Sequence, residues 1–436
     1  MKILLSLLSE QQVANLLVVH AVKPEKLLLV ETKGMKEKNS SANFLNALKI
    51  GGLDYLEKNK HEILEITREN SMKEIEGKIK ECYERYEKNI SNEWIINLTG
   101  GTKPMVLGTY NFFKDKNAKM LYLAAANQKE IVNLLEDKKE MEILHKTSIK
   151  EFLAGYGYEA KDEEKTWEKK EKEWFELSKY IVTNLKEVSV FLNTFFRKCS
   201  ELKEKNHKDP QQHGVELEEL GDDDGLKMPT GKFGEYLEKM FRVKIKENPC
   251  SGRLDKYMVQ FLTGKWLEVF LYHILSEYKD KLEIWDLHIE LRIFQKKDKL
   301  ENELDIAFMK DQMLHIIECK TGVQSHDEKE VTALYKIEAI KKQFGALKVK
   351  SIFATTSDNI LDRDKKKIKE HIQNRARIYD CTLITRVDIK ELAEKYEMVT
   401  AKQVTPDEYV DLLCKKFGLK KRDIAEKETK PECVMI

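Results

Sequence analysis

Apolar and polar positions divide the chain into two α/β regions. Short apolar runs at residues 3–8, 26–31, 62–66, 94–98 and 120–124 read as strands. Amphipathic stretches such as Ser71 to Tyr86 lie between them, so residues 1–150 predict a doubly wound, Rossmann-like α/β sheet. From residue 251 a second alternation begins. Residues 254–276 read as a helix whose Phe261, Trp266, Phe270 and Ile274 supply core bulk. Leu287, Ile289, Leu291 and Ile293 then alternate as a strand. Asn302 to Lys320 reads as two strands joined by the polar turn Lys310-Asp311-Gln312. A helix over 327–344 that stops at Gly345, a strand over 349–355, a basic helix over 365–377 and a strand over 382–386 complete the order α-β-β-β-α-β-α-β.

Residues 151–250 break this pattern. Lys161 to Phe175 is a charge-dense helix whose alternating signs indicate a solvated face. Pro210, Pro229 and Pro249 fall among the glycines and polar residues beyond it, which marks a loop-rich connection. The run Asp222-Asp223-Asp224 reads as an exposed turn, with calcium binding as the alternative. Residues 423–436 read as a flexible tail, and there is no internal repeat.

Composition narrows the class. With 436 residues, 41% hydrophobic and 35% charged, the chain is globular and long enough for two or three domains. No apolar run approaches the ~20 residues of a membrane span, and Met1 to Leu5 fits a first strand better than a signal peptide. Seven cysteines without a C-x-x-C pair indicate a reducing cytoplasm and argue against a zinc site. The ten histidines show no ligand spacing. A net charge of +1 confines any nucleic-acid binding to a local basic face.

Three stretches carry candidate chemistry. In the 302–320 hairpin Asp305 faces away from Leu304, Ile306 and Phe308, and Glu318 and Lys320 share a face. A two-residue loop at Asp311-Gln312 would set Asp305 opposite Glu318 with ~5 Å between β-carbons. Two carboxylates and a lysine at one point can hold a hard divalent cation and activate a water beside it. Against that stands the abundance of Glu-x-Lys elsewhere in the chain at helical positions. The other two stretches are loops after strands. Ser9 to Asn15 follows the first strand, and Thr99-Gly100-Gly101-Thr102-Lys103-Pro104 follows the strand at 94–98. Paired glycines, a capping Thr102, Pro104 in the first turn and Lys103 make an anion site at a helix start. A glycine turn that only joins strand to helix is the alternative.

Glu268 on a leading helix, Asp305, and Glu318-Cys319-Lys320 on the next strand resemble the PD-(D/E)xK nuclease core. The two N-terminal loops make that region similar to a CARF domain. Together, with Asn302-Glu303-Leu304-Asp305 and Tyr335-Lys336-Ile337-Glu338 flanking, they resemble the CRISPR-associated CARF nucleases of type III systems. Leu304 stands where the family pattern has proline. The resemblance implies a CARF sensor domain over 1–150, a connecting region over 151–250 and a restriction-endonuclease-like α/β domain over 251–422. It implies a cytoplasmic, metal-dependent endonuclease acting on RNA and/or DNA in antiviral defence. Its activator would be a cyclic oligoadenylate, cyclic tetra-adenylate foremost. Mn²⁺ or Mg²⁺ would be held by Asp305, Glu318, Glu268 and the Cys319 carbonyl, with Lys320 acting on the attacking water. Lys336 would meet a phosphate or, alternatively, pair along the Glu338 face. Lys365, Lys366, Lys367, Lys369, Arg375 and Arg377 line a nucleic-acid path or form a solvated face. The activator would touch Ser9, Gln12, Asn15, Thr99, Gly100, Gly101, Thr102 and Lys103. Because such a ring has near-rotational symmetry, a homodimer binding it at the two-fold axis is expected, with movement relayed through residues 160–250.

Two rival readings differ in class. A sensor with a non-cleaving nucleic-acid-binding domain calls for a helix-turn-helix, and none is evident after residue 250. A metal-free ribonuclease of the HEPN kind needs an Arg followed four to six residues later by a His, whereas the nearest pair in that order is Arg363 and His371.

Overall fold

The computed structural model describes the chain except residues 89–90, 125–128, 162–165, 207–208, 221–228, 230, 245–250, 296–299, 323–326, 345–347, 363, 365–366 and 422–436. The run Asp222–Asp224, Gly345, Lys365, Lys366 and the expected tail lie outside the described residues. Two compact units form: residues 1–164 with 285–316 and 336–351, and residues 165–284 with 317–335 and 352–436.

The first unit opens with β1 (Lys2–Leu7), α1 (Gln12–Val22), β2 (Lys26–Thr32), α2 (Lys33–Glu37) and α3 (Ser40–Ile50). Next come β3 (His61–Ile66), α4 (Met72–Glu87), β4 (Glu93–Asn97), α5 (Lys103–Phe113) and β5 (Ala118–Leu123). The antiparallel β6 (Glu130–Asn133) and β7 (Lys138–Glu142) complete a seven-stranded sheet of order β3-β2-β1-β4-β5-β6-β7. Strands β1 to β5 are parallel. Leu4, Leu27, Leu29 and Ile95 pack into one core, and Ile3, Leu5, Leu28 and Ile96 into another on the opposite face. Burial on both faces is why these strands read as continuous apolar runs. From β1 the chain turns outward to β2 and later returns to β4 on the other side. The switch point of the sheet therefore lies at the carboxyl ends of β1 and β4.

Beyond this sheet the chain runs through α6 (Ile149–Gly155), β8 (Tyr158–Ala160), α7 (Thr166–Thr183), α8 (Leu185–Asn206), α9 (Pro210–His213), β9 (Val215–Glu216) and α10 (Gly231–Phe241). Then follow β10 (Arg253–Leu254), α11 (Lys256–Gln260), a π-turn (Phe261–Lys265), α12 (Trp266–Glu277), β11 (Trp285–Gln295), β12 (Leu300–Lys310) and β13 (Met313–Lys320). The last elements are α13 (Asp327–Gln343), β14 (Val349–Thr355), α14 (Glu370–Ile378), β15 (Cys381–Ile384), α15 (Arg386–Thr400) and α16 (Pro406–Phe417). A second sheet has the order β15-β14-β13-β12-β11-β8, and β9 pairs with β10.

Several expectations change. The helix over 254–276 is interrupted at Gly264, whose φ of 155° is outside helical values. The basic helix over 365–377 begins only at Glu370, because Ile368 bridges Leu361 and Lys369 stands before the first turn. Residues 158–160, assigned to the connection, are instead a strand paired with β11. The connection is also less loop-rich than its prolines suggest, since α7 and α8 fill much of it. The charges of α7 conceal an apolar stripe of Trp167, Trp174, Phe175 and Ile181, all buried. Two further helices close the chain, each begun by a capping box, Thr385 with Asp388 and Thr405 with Glu408. Among the described residues no helix is long and apolar enough to cross a membrane.

One core of the first unit does not stop at its seven-stranded sheet. It continues through Phe152, Tyr158, Leu291, Ile293, Leu304, Leu314 and Phe344. The strands of the 300–320 hairpin are thus anchored in the same apolar mass as β1 and α1.

Candidate functional site

The switch point is built from its asparagines upward. Asn97 ends β4 and is fully buried. Its amide donates to Ser6 Oγ at 3.0 Å and to Asn15 Oδ1 at 2.9 Å, and its Oδ1 accepts from the Thr99 N–H at 3.0 Å. Asn15 in turn donates to the Leu7 carbonyl at 3.0 Å. The two residues lock the ends of β1 and β4 together, so Asn15, expected to touch ligand, has both amide atoms engaged in bracing the loops. The Thr99 hydroxyl accepts from the Leu123 N–H at 3.0 Å. Ser9 donates to the Gln11 carbonyl at 3.3 Å.

Gly100 is required here. A Cβ on it would stand 2.2 Å from the Leu7 carbonyl oxygen and 2.7 Å from Asn15 Nδ2. Gly101, at φ +84°, adopts the left-handed conformation that a side chain disfavours. After this turn α5 starts at Lys103, with Pro104 in its first turn. Thr102 occupies the cap position but makes no capping hydrogen bond. Its buried hydroxyl, like the buried Oε1 of Gln12, finds no hydrogen-bond partner among the described residues. Exposed Lys103 and the open N–H groups of α5 stand at the switch point, a setting suited to a phosphate-bearing ligand.

In the second unit Glu318 and Lys320 share one face at the end of β13, with Lys320 Nζ 2.7 Å from Glu318 Oε1. Glu318 and Cys319 are buried, and the lysine head reaches solvent. The strand end is tied down by the Thr356 N–H, which donates to the Lys320 carbonyl at 3.1 Å. Gly322 N–H donates to Thr356 Oγ1 at 3.0 Å. The break before α12 presses on the same place: a Cβ on Gly264 would lie 3.1 Å from Thr321 Oγ1. One turn beyond that break, in the first turn of α12, stands buried Glu268, 2.9 Å from Lys265 Nζ. The structure thus brings Glu318 and Lys320 into contact and sets the start of the Glu268 helix against their strand. Asp305, buried on β12, and Lys336, exposed on α13, belong to the first unit.

Three features escape sequence reasoning. Lys265 sits inside the stretch carrying Glu268, yet only the helical spacing to Glu268 hints at its ion pair. Asn97 looks like any polar strand end. Gln312, read as a turn residue, is buried: its Oε1 accepts from the Thr147 N–H at 3.2 Å and its amide donates to the His145 carbonyl. No local signal marks a pairing between residues so far apart.

Two family models match the chain. Residues 3–152 match the Card1 CARF domain, and residues 255–379 match the Card1-like endonuclease domain. The two matches define a class of proteins that join a CARF sensor to an endonuclease. Within that class the chain belongs with the Card1-like CARF endonucleases. Can2 from Sulfobacillus thermosulfidooxidans, solved in complex with cyclic tetra-adenylate, superposes with a TM-score of 0.65 at 20% identity, over 96% of this chain and 99% of that one. Protein VC1899 from Vibrio cholerae gives a TM-score of 0.69 at 17% identity, over 90% and 96%. Both likenesses extend the shared fold to nearly the whole chain. No curated protein matches the sequence significantly.

Proposed function

We propose that this chain is an endonuclease of type III CRISPR antiviral defence, switched on by a cyclic oligoadenylate bound at the β1–β4 crevice. The observation that carries this reading is the pairing of a Card1 CARF domain with a Card1-like endonuclease domain in one chain. Can2 holds cyclic tetra-adenylate, and we take that ring as the first activator to test. Ser9, Gln12 and Thr99 to Lys103 are assigned to the ligand, Lys103 through a charge-assisted phosphate contact. Two copies about a two-fold axis would offer matching crevices to opposite phosphates of the ring. We assign the protein to the cytoplasm.

For the nuclease, the hairpin supplies the register. Asp311 and Gln312, at φ 50° and 56°, form a two-residue turn, and the rings of Phe308 and His315 stack with centroids 4.7 Å apart. We propose that the same register continues along the hairpin, which would bring Asp305 opposite Glu318 with ~5 Å between β-carbons. Asp305, Glu318 and Glu268 are all buried carboxylates, a hard oxygen donor set, with Lys320 and Lys265 offsetting the charge of two of them. They fit Mg²⁺ or Mn²⁺, with the Cys319 carbonyl as a further oxygen. Such an ion, when bound, lowers the pKa of a water and offsets charge on the phosphate. Lys320, beside Glu318, would orient that water and offset charge on the phosphate. Lys336 is assigned to an adjacent phosphate of RNA or DNA.

The test is incubation of the purified chain with Mn²⁺ and RNA, single-stranded DNA or duplex, with and without cyclic tetra-adenylate. Cleavage that appears with activator and stops with EDTA supports the reading. Cleavage untouched by EDTA overturns the metal assignment.

A further inference from the structure

Away from both sites, His20 near the end of α1, His145 and Glu151 in the first turn of α6 converge. His20 Nε2 lies 2.7 Å from Glu151 Oε1, and His145 Nε2 lies 2.7 Å from Oε2. All three donor atoms fall within 4.8 Å of one another. The side chains of His20 and Glu151 are 4% and 1% exposed, and that of His145 is 23% exposed. Gly51 leaves the space open: a Cβ there would stand 2.5 Å from Glu151 Oε1 and 2.7 Å from His20 Nε2.

The charge of this cluster is the telling point. The ion partners of Glu151 among the described residues are these two imidazoles, and a carboxylate this buried calls for a positive partner. A cation belongs there. Two imidazole nitrogens and one carboxylate oxygen are the donor set of three-ligand zinc sites, and the partly exposed side of His145 leaves a fourth position for water.

We propose that His20, His145 and Glu151 bind a divalent ion of the zinc class, separate from the nuclease site. The two rings are stacked 3.4 Å apart and parallel within 7°, so they must splay for both nitrogens to meet one ion. His145, the more exposed ring, is the one with room to turn. The expectation of no zinc site rested on cysteine pairs and histidine spacing; ligands at 20, 145 and 151 are joined only by the fold. The His145 carbonyl accepts from Gln312 at the hairpin turn, so a bound ion would also fix the segment that latches the hairpin.

The experiment uses the full chain carrying Glu318→Ala, which disables the nuclease carboxylates and keeps the two proposals distinguishable. After equilibration with Zn²⁺ and washing, metal content is measured by mass spectrometry. His145→Ala and Glu151→Gln in this background should each hold one equivalent less and lose more than about tenfold in zinc affinity, the lower range for disturbing even an outer partner. Co²⁺ should give the d–d absorption of a four-coordinate nitrogen–oxygen site in the parent and not in the variants. Glu151→Gln keeps the shape of the side chain, and a matched circular dichroism spectrum shows that each variant is folded. Equal zinc in the parent and both variants, or no zinc in the parent, overturns the proposal.

Discussion

A carboxylate as buried as that of Glu318 folds with a partner, and Lys320 stands 2.7 Å from it. Glu318→Ala removes the buried charge itself and should leave the fold and activator binding intact while abolishing cleavage, whereas Lys320→Ala strands that charge and should abolish cleavage at some cost in stability. The loss should amount to several kcal/mol of transition-state stabilisation, read as a fall of about a thousandfold or more in single-turnover rate. Wild-type cutting by both variants would remove these residues from the mechanism. Gly100 makes the complementary case, where a side chain is excluded. Gly100→Ala drives a methyl into the Leu7 carbonyl and Asn15, and should cost ~1–3 kcal/mol in urea unfolding together with weaker activator binding. An unchanged midpoint would mean that the loop yields freely. At this scale the sequence is informative where chemistry is local. Gly100-Gly101 stands out by type and spacing, while Glu318-x-Lys320, a triplet common elsewhere in the chain, draws notice only beside Asp305 and Glu268. Asn97 does not, because its value lies in reaching Ser6 and Asn15 across two strand ends.

The hairpin formed by β12 and β13 is the element on which the nuclease reading depends. His315 stacks on Phe308 within it, and burial, with Lys310 and Lys350 adding to it, pushes the imidazole down to about 4 from its ordinary 6.5. The folded state therefore binds fewer protons than the unfolded chain between those values. Stability from this group is complete above about pH 6.5 and falls by about 1.4 kcal/mol per pH unit as pH drops towards about 4. His315→Phe should flatten that part of the unfolding profile, and an unaltered slope would show that His315 is not held neutral. In the second unit Arg375 of α14 lies 4.8 Å over the Tyr335 ring, beside Tyr379. If α14 meets phosphates, Arg375→Ala with Arg377→Ala should weaken single-strand binding and lower the salt slope by roughly 0.7 per lost contact. An unchanged slope assigns the helix to solvent. Elements with strong periodicity, β1 to β5 and the hairpin, are readable before folding. Three-residue β8 is not, since its strand character comes wholly from pairing with β11. Residues 367–369 look helical by composition, but the bridge between Ile368 and Leu361 holds them extended.

For the whole molecule, the sequence pointed to residues 160–250 as the relay between sensor and nuclease. Within the first unit, contacts also tie the N-terminal sheet to the hairpin turn. Gln312 at the hairpin turn bonds to His145 and Thr147, the Trp285 indole donates to the Thr147 carbonyl at 2.8 Å, and one core joins β1 to the hairpin strands. A ligand at the crevice can act through these contacts only if it binds one arrangement of them more tightly than another. Gln312→Ala should then loosen the dependence of cleavage on activator while leaving activator affinity near the wild-type value, which calorimetry and cleavage assays together would show. Most direct for the central claim is cleavage rate measured against cyclic tetra-adenylate concentration for the wild type, Lys103→Ala and Glu318→Ala. Cutting by the wild type should depend on the activator. Lys103→Ala should follow the same curve displaced by about ten- to a hundredfold, the worth of a charge-assisted phosphate contact, and reach the same plateau. Glu318→Ala should stay inactive at every concentration. A wild type that cuts equally well without the ring, or a Lys103→Ala curve that coincides with the wild type, would contradict that claim.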